Sequence, residues 1–178
     1  PLAVQAAQAA IEKIIAGYKD QQLVSLEAPL VRMVMQLLRE VDLYNFSAIV
    51  TPSRNSKNFR KRGFDPARRL IQRAVRELST SMEIHALRSV RKLEDQRRLS
   101  KAERELNVAN SMRLAAKLKG PVLLFDDVLT TGSTLQEMAR ACRDAGVEVA
   151  ACCKASGRPV VHPEIVEKAS RDQARCGR

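Results

Sequence analysis

Apolar side chains recur at three- and four-residue spacing through the first forty positions, the mark of helices that present one face to a core. Val4, Ala7, Ala10, Ile11, Ile14 and Ile15 form one such stripe, with Gly17 as its predicted stop. A polar link, Tyr18 to Gln22, leads to a second stripe from Glu27 to Arg39 that carries Leu30, Val31, Val34, Met35 and Leu38. Pro29 suits its first turn. The pattern then shifts to a short apolar run, Phe46-Ser-Ala-Ile-Val50, which predicts a buried strand ending in a loop at Thr51-Pro52-Ser53.

The stretch from Ser53 to Gly63 is polar and basic and reads as a loop. Asp65 can cap a third helix with Pro66 at its first position, and Ala67, Leu70, Ile71, Ala74, Val75 and Leu78 make its inner face. Met82 to Val90 predicts a weak strand. From Arg91 to Arg104 periodicity fades, with Leu93, Leu99 and Ala102 the only apolar side chains, so the segment is either an exposed helix or a lid-like loop.

The clearest pattern follows Gly120-Pro121. Val122-Leu-Leu-Phe125 is continuously apolar, as a parallel strand buried on both faces requires. It meets Asp126-Asp127, turns through Thr130-Thr131-Gly132, and enters a helix for which Thr134-x-x-Glu137 predicts a capping box. Leu135, Met138, Ala139 and Cys142 face the sheet; Gly146 ends the helix; Val147 to Cys153 predicts the next strand, with Val147, Val149, Ala151 and Cys153 on one side. A strand, helix and strand with short links form a unit with parallel strands. The expected class is α/β, a parallel central sheet flanked by helices. Residues 1–160 form the expected domain, with residues 1–40 as its N-terminal helical part, and residues 161–178 a C-terminal extension.

Composition changes this picture in one respect. The chain has 178 residues, 45% of them apolar and only 3% aromatic, so the core is aliphatic. Its net charge is +11, and residues 54–104 alone carry 16 basic against 6 acidic side chains. Such an excess attracts phosphates, nucleic acid or an anionic surface, although a solvated basic surface gives the same count. No apolar run reaches the roughly 18 residues of a membrane span and no leader precedes Ala10, so a cytoplasmic location without a membrane span is expected. The four cysteines, Cys142, Cys152, Cys153 and Cys176, form no C-x-x-C pair and the only histidines are His85 and His162, which disfavours zinc. Cys142 and Cys153 fall on apolar faces and read as buried free thiols.

Candidate chemistry gathers where the Val122 strand ends, since ligands of open parallel sheets bind at the carboxyl edge. Thr130, Thr131, Gly132, Ser133 and Thr134 place hydroxyls and free backbone N–H groups at a helix N-terminus, which favours a phosphate. No lysine stands in this turn, so a P-loop is disfavoured. Asp126 and Asp127 are in reach of a sugar's vicinal hydroxyls or of a hydrated Mg²⁺, which prefers one or two carboxylates plus ligand oxygens. Together these imply a phosphorylated sugar lying across the strand end. Taken singly, an acidic pair or a Thr-Thr-Gly-Ser turn is ordinary loop chemistry.

Val122-Leu-Leu-Phe-Asp-Asp-Val-Leu-Thr-Thr-Gly-Ser-Thr134 resembles the signature of phosphoribosyltransferases of type I fold. Tyr18-Lys19, Arg62-Gly63-Phe64 with Ala67, and Gln96-x-x-Leu99-x-x-x-x-Arg104-x-x-Asn107 resemble the competence protein F (ComF) branch, linked with DNA uptake, over roughly residues 14–155. Members of that branch commonly carry an N-terminal cysteine-rich zinc segment and usually show a two-proline turn after the first strand; here Pro52 stands alone. The resemblance implies a type I phosphoribosyltransferase-like fold that binds 5-phosphoribosyl 1-pyrophosphate, or another phosphorylated ribose, with Mg²⁺ as cofactor. Asp126 and Asp127 would act as catalytic and metal-holding groups, and Thr130, Thr131, Gly132, Ser133 and Thr134 would hold the 5-phosphate. Arg60 and Arg62, and Arg97, Arg98, Lys101 and Arg104 on a closing flap, would face pyrophosphate.

Three readings stay open on the sequence. One is a transferase moving ribose 5-phosphate to an acceptor. The second is a catalytically inactive factor whose basic middle third holds single-stranded DNA during uptake. Phe59 and Phe64 are the only aromatics among those 16 basic residues, which gives base stacking little support. The third is a structural domain with a decayed site. A homodimer is the expected assembly if the chain self-associates.

Overall fold

The computed structural model describes residues 2–54, 56–91, 101–127 and 132–155. The first apolar stripe folds as helix α1, Leu2–Asp20, which runs through Gly17 rather than stopping there. A Cβ at Gly17 would stand 3.2 Å from Leu26 Cδ1 and 3.4 Å from Leu23 Cδ1. The glycine therefore admits a close approach by the 3₁₀ turn Val24–Leu26. Tyr18, expected in a polar link, is fully buried in the core beside Ile15.

Helix α2, Glu27–Glu40, buries Leu30, Val31, Val34, Leu37 and Leu38. Strand β1 is Ala48–Thr51. The predicted loop after it contains a short helix, α3, Ser56–Arg62. Helix α4, Pro66–Glu77, begins as expected: the Asp65 carboxylate accepts the Arg68 N–H at 3.1 Å, and Pro66 opens the first turn. Its apolar face, Ala67, Leu70, Ile71, Ala74 and Val75, packs with α2 on one side of the sheet.

The weak strand divides in two. Glu83–Ala86 is β2 and Arg88–Ser89 is β3, separated by the buried Leu87. Helix α5 is Lys101–Val108, and β4, Met112–Arg113, pairs antiparallel with β3 in a small second sheet. Strand β5, Val122–Asp126, is buried along its whole length. Helix α6, Ser133–Asp144, leads to β6, Val149–Lys154. Residues 156–178, and with them the expected extension, lie outside the described residues.

The main sheet has the order β2-β1-β5-β6 with every pairing parallel, so the expected α/β class holds. Alternate side chains of β5 enter opposite cores: Leu123 and Phe125 meet α2 and α4, while Val122 and Leu124 meet α6. In β6 the expected alternation is interrupted. Val122 pairs with Val149 but Leu123 pairs with Ala151, leaving Ala150 as an extra residue. Val147, Val149 and Cys152 consequently share the α6 core, and Ala151 and Cys153 turn to the opposite one.

The connections place α4 on one face, between β1 and β2, and α6 on the other, between β5 and β6. Chain order therefore reverses between the neighbouring strands β1 and β5. In open parallel sheets the crevice at the carboxyl end of such a reversal is where ligands bind.

Candidate functional site

The two strands at the reversal end in Thr51 and Asp126. Asp126 closes β5, and its Oδ1 accepts the Asp127 N–H at 2.8 Å. Both aspartates are buried, at 6% and 4% exposure. Asp127 Oδ1 receives Lys19 Nζ at 3.0 Å. Burial first, and the Asp127 charge second, push the Asp126 carboxyl well above the usual carboxylate range, with Lys19 opposing. Burial pulls the Lys19 ammonium down, but Asp127 and Asp126 outweigh it and leave its pKa above the ordinary value.

Helix α1 delivers Lys19 because its last turn is fixed from two directions. The Tyr18 hydroxyl donates to Glu27 Oε2 at 3.4 Å, and its ring lies 5.3 Å from that of Phe64. Glu27, buried in the first turn of α2, also holds Arg69 at 2.7 Å and Arg73 at 3.0 Å from α4. Arg62 NH2 reaches Asp20 Oδ1 at 2.8 Å. The three sequence signals at 18–19, 62–64 and 126–127 thus meet at one edge of the sheet. Asp65 borders the group: burial raises its carboxyl, the Arg68 N–H opposes that, and Asp127 adds to it.

On the opposite side of Asp127 the chain re-enters the described residues at Gly132, whose φ of 75° is the left-handed conformation that glycine favours. Gly132 caps α6, Ser133 is buried and Thr134 is half-buried. Thr130 and Thr131 lie outside the described residues, as do Arg97 and Arg98. Lys101 and Arg104 stand on α5. Arg60 is exposed on α3, whereas the Arg62 side chain is 7% exposed and engaged by Asp20.

The predicted capping box does not form. Glu137 points from α6 toward the small sheet, where its carboxylate accepts the Asn110 N–H at 3.0 Å and the Met112 N–H at 2.8 Å, with Arg140 alongside. Two backbone donors and a guanidinium satisfy that carboxylate better than one cap amide would.

The sequence left one contact of the site unseen and the state of one residue unstated. Lys19 carried only a family resemblance, with no sign that a residue of the first helix reaches Asp127. Ser53 opens the loop, Ser53 to Arg62, that the resemblance puts near pyrophosphate, and its buried Oγ has no hydrogen-bond partner among the described residues, the kind of orphan that a bound ligand satisfies. The fit of Mg²⁺ follows from the donor set. Two adjacent carboxylates at a strand edge would suit an ion that keeps water and ligand oxygens. Among the described residues no helix is long and apolar enough to cross a membrane.

No family model matches the chain. Among solved structures it is similar to a hypoxanthine phosphoribosyltransferase from Staphylococcus aureus, at 12% identity and a TM-score of 0.43, over 72% of this chain and 62% of that one. Among curated proteins, competence protein F of Haemophilus influenzae is 38% identical over 92 residues, covering 49% of this chain and 40% of that protein. DNA utilization protein YhgH of Salmonella typhimurium is 30% identical over 112 residues, covering 62% of this chain and 49% of that protein. The likeness to competence protein F carried by the sequence signals is met by a curated relative of that name. At 30–38% identity the chain is a sequence relative of competence protein F and DNA utilization protein YhgH, and it spans at most about half of their length.

Proposed function

We propose that this chain binds 5-phosphoribosyl 1-pyrophosphate with Mg²⁺ and acts as a phosphoribosyltransferase-like protein that passes ribose 5-phosphate to an acceptor. The observation that carries this reading is the buried Asp126–Asp127 pair at the reversal between β1 and β5, with Asp127 five positions ahead of the glycine that opens α6.

In this reading Asp126 and Asp127 hold the ribose hydroxyls. The turn from Thr130 to Thr134 receives the 5-phosphate, with the N-terminal amides of α6 directed at it. Asp126 and Asp127 would also hold Mg²⁺, which when bound neutralises charge on the departing pyrophosphate. The orphan Ser53 hydroxyl and Arg60 line the approach after β1, and Arg97, Arg98, Lys101 and Arg104 supply cations for the leaving group. Calorimetry with 5-phosphoribosyl 1-pyrophosphate and Mg²⁺ tests the reading. Binding should be lost in the Asp126→Asn/Asp127→Asn double variant, and equal binding by both proteins would refute it.

A second reading draws on the basic surface. Arg69, Arg73 and Arg62 are taken up by Glu27, Glu77 and Asp20, but Arg54, Arg60, Lys61, Arg68 and Arg76 are exposed on or beside α3 and α4. Those exposed groups suit the backbone of single-stranded DNA, with an affinity that falls with salt at a log–log slope of about −0.7 per neutralised phosphate. Changing Arg60, Lys61 and Arg68 to Ala should flatten that slope; an unchanged slope would remove this reading.

A further inference from the structure

Lys19 covers the carboxylate edge of Asp127 that a divalent cation would need. Its ammonium sits on Asp127 Oδ1 at 3.0 Å, and the Asp127 side chain is only 6% exposed, so the carboxylate has little other surface to offer. A divalent cation and an ammonium on one buried carboxylate edge repel each other, which makes joint occupancy unfavourable. Lys19 nevertheless has room to move. Its side chain is 29% exposed, while the backbone beneath it is held through Tyr18 by Glu27 and Phe64. The root of the side chain is anchored, and the four-carbon stem is the flexible part that an exchange of partner would use. Arg62, the neighbouring cation, lacks that freedom, being 7% exposed and paired with Asp20 at 2.8 Å.

We infer that Lys19 is an exchangeable internal counter-cation. It neutralises Asp127 in the ligand-free protein, yields that carboxylate to a divalent cation arriving with the sugar phosphate, and moves its ammonium to a phosphate oxygen of the same ligand. The inference rests on the proposed function for the nature of the ligand. No bond is made or broken; one ion pair is exchanged for two. A lysine suits the task because its ammonium is a compact point charge that pairs equally with carboxylate or phosphate.

The exchange predicts opposite effects of one substitution on two ligands. Mn²⁺ serves as the metal probe, its free concentration read by electron paramagnetic resonance with no sugar phosphate present. Lys19→Met should bind Mn²⁺ about tenfold tighter than wild type, since a competing charge has gone, and Lys19→Arg should stay near the wild-type value. Calorimetry with Mg²⁺ and 5-phosphoribosyl 1-pyrophosphate should show the reverse, Lys19→Met binding about tenfold more weakly. Lys19→Gln carries the same two expectations and replaces the Met variant if that fails to fold by circular dichroism. Unchanged or weaker Mn²⁺ binding in the uncharged variants would overturn the exchange. Tighter Mn²⁺ binding in those variants beside a wild type that binds no 5-phosphoribosyl 1-pyrophosphate would overturn the functional reading and the transfer to phosphate, and leave the competition at Asp127 standing.

Discussion

The Glu137 carboxylate accepts the backbone N–H of Met112 at 2.8 Å, joining the helix that follows the candidate phosphate turn to the strand that follows α5. Arg140 completes the joint, donating to Glu137 Oε1 and to the Met112 carbonyl, each at 2.8 Å. Arg91 adds a related clamp, its guanidinium donating to the carbonyls of Leu106, Asn107 and Ala109 at the end of α5. The segment bearing Lys101 and Arg104 is thereby fastened at its C-terminal end to both α6 and the small sheet.

Removing this carboxylate should be costly. Glu137→Ala leaves the buried Met112 N–H without its acceptor and Arg140 without its principal partner, a loss of about 2 to 3 kcal/mol. In a chain of this size that lowers Tm by about 5 to 10 °C, measurable by calorimetric melting. Glu137→Gln keeps an oxygen for one amide and should lose less. A melting temperature unchanged in the Ala variant would show that the joint contributes nothing.

Much of the fold was legible because its cues are local. The unbroken apolar run Val122–Phe125, bounded by Gly120-Pro121 and Asp126-Asp127, is consistent with a strand covered on both faces and is one, and Asp65-Pro66 carries its own cap and first turn. The failures share a different cause. Gly17 ends no helix because Leu26 and Leu23 pack against its bare Cα side, and Glu137 leaves the capping box because Met112, 25 positions earlier, offers a better donor. The Ala150 bulge is invisible in a run where both faces are apolar. At the site, Asp126 and Asp127 declared themselves by their place after a buried strand, whereas the Lys19–Asp127 pair spans 108 positions. Only the chain path that brings α1 to the carboxyl edge could reveal it.

Asp65 permits a sharper test of local coding. Asp65→Ala removes the acceptor for the Arg68 N–H and should destabilise the protein by about 1 kcal/mol, while Asp65→Asn keeps a capping oxygen and sheds a charge beside Asp127. The Asn variant should therefore be at least as stable as wild type in urea unfolding. A loss in Asn equal to that in Ala would show that the charge, rather than the cap, matters at this position.

The acid side of the stability profile should carry Glu137's imprint. Burial raises its carboxyl, but Arg140 and the Met112 and Asn110 amides outweigh that and hold it below the ordinary glutamate range. A folded-state pKa below the unfolded value means that the unfolded chain binds more protons as pH falls. Its stabilising contribution is therefore fully present above about pH 5 and is lost as the pH drops through the folded-state pKa. Stability measured by urea unfolding should fall on acidification from about pH 5 to pH 3, and the fall should be shallower in Glu137→Gln. Identical slopes in the two proteins would remove Glu137 from the acid transition.

Cys142, Cys152 and Cys153 are buried and free, and burial pushes each thiol up to about 12. Since the thiolate is the reactive form, each should be a poor nucleophile at neutral pH on two counts, access and ionisation. The neighbouring positions Cys152 and Cys153 face opposite cores, so they cannot act together on one ligand. Iodoacetamide at pH 8 should leave all three unmodified in the native protein and label them in urea, with peptide mass spectrometry resolving each site from Cys176. Labelling should then track global unfolding, so that Glu137→Ala, weakened by about 2 to 3 kcal/mol, reacts faster by a factor of about 30 to 150 in the regime where opening and closing outpace modification. Native labelling of Cys142 or Cys152 within minutes would instead mean that the sheet opens locally at β6, and the packing of α6 against that strand would have to be weaker than the burial of its side chains implies.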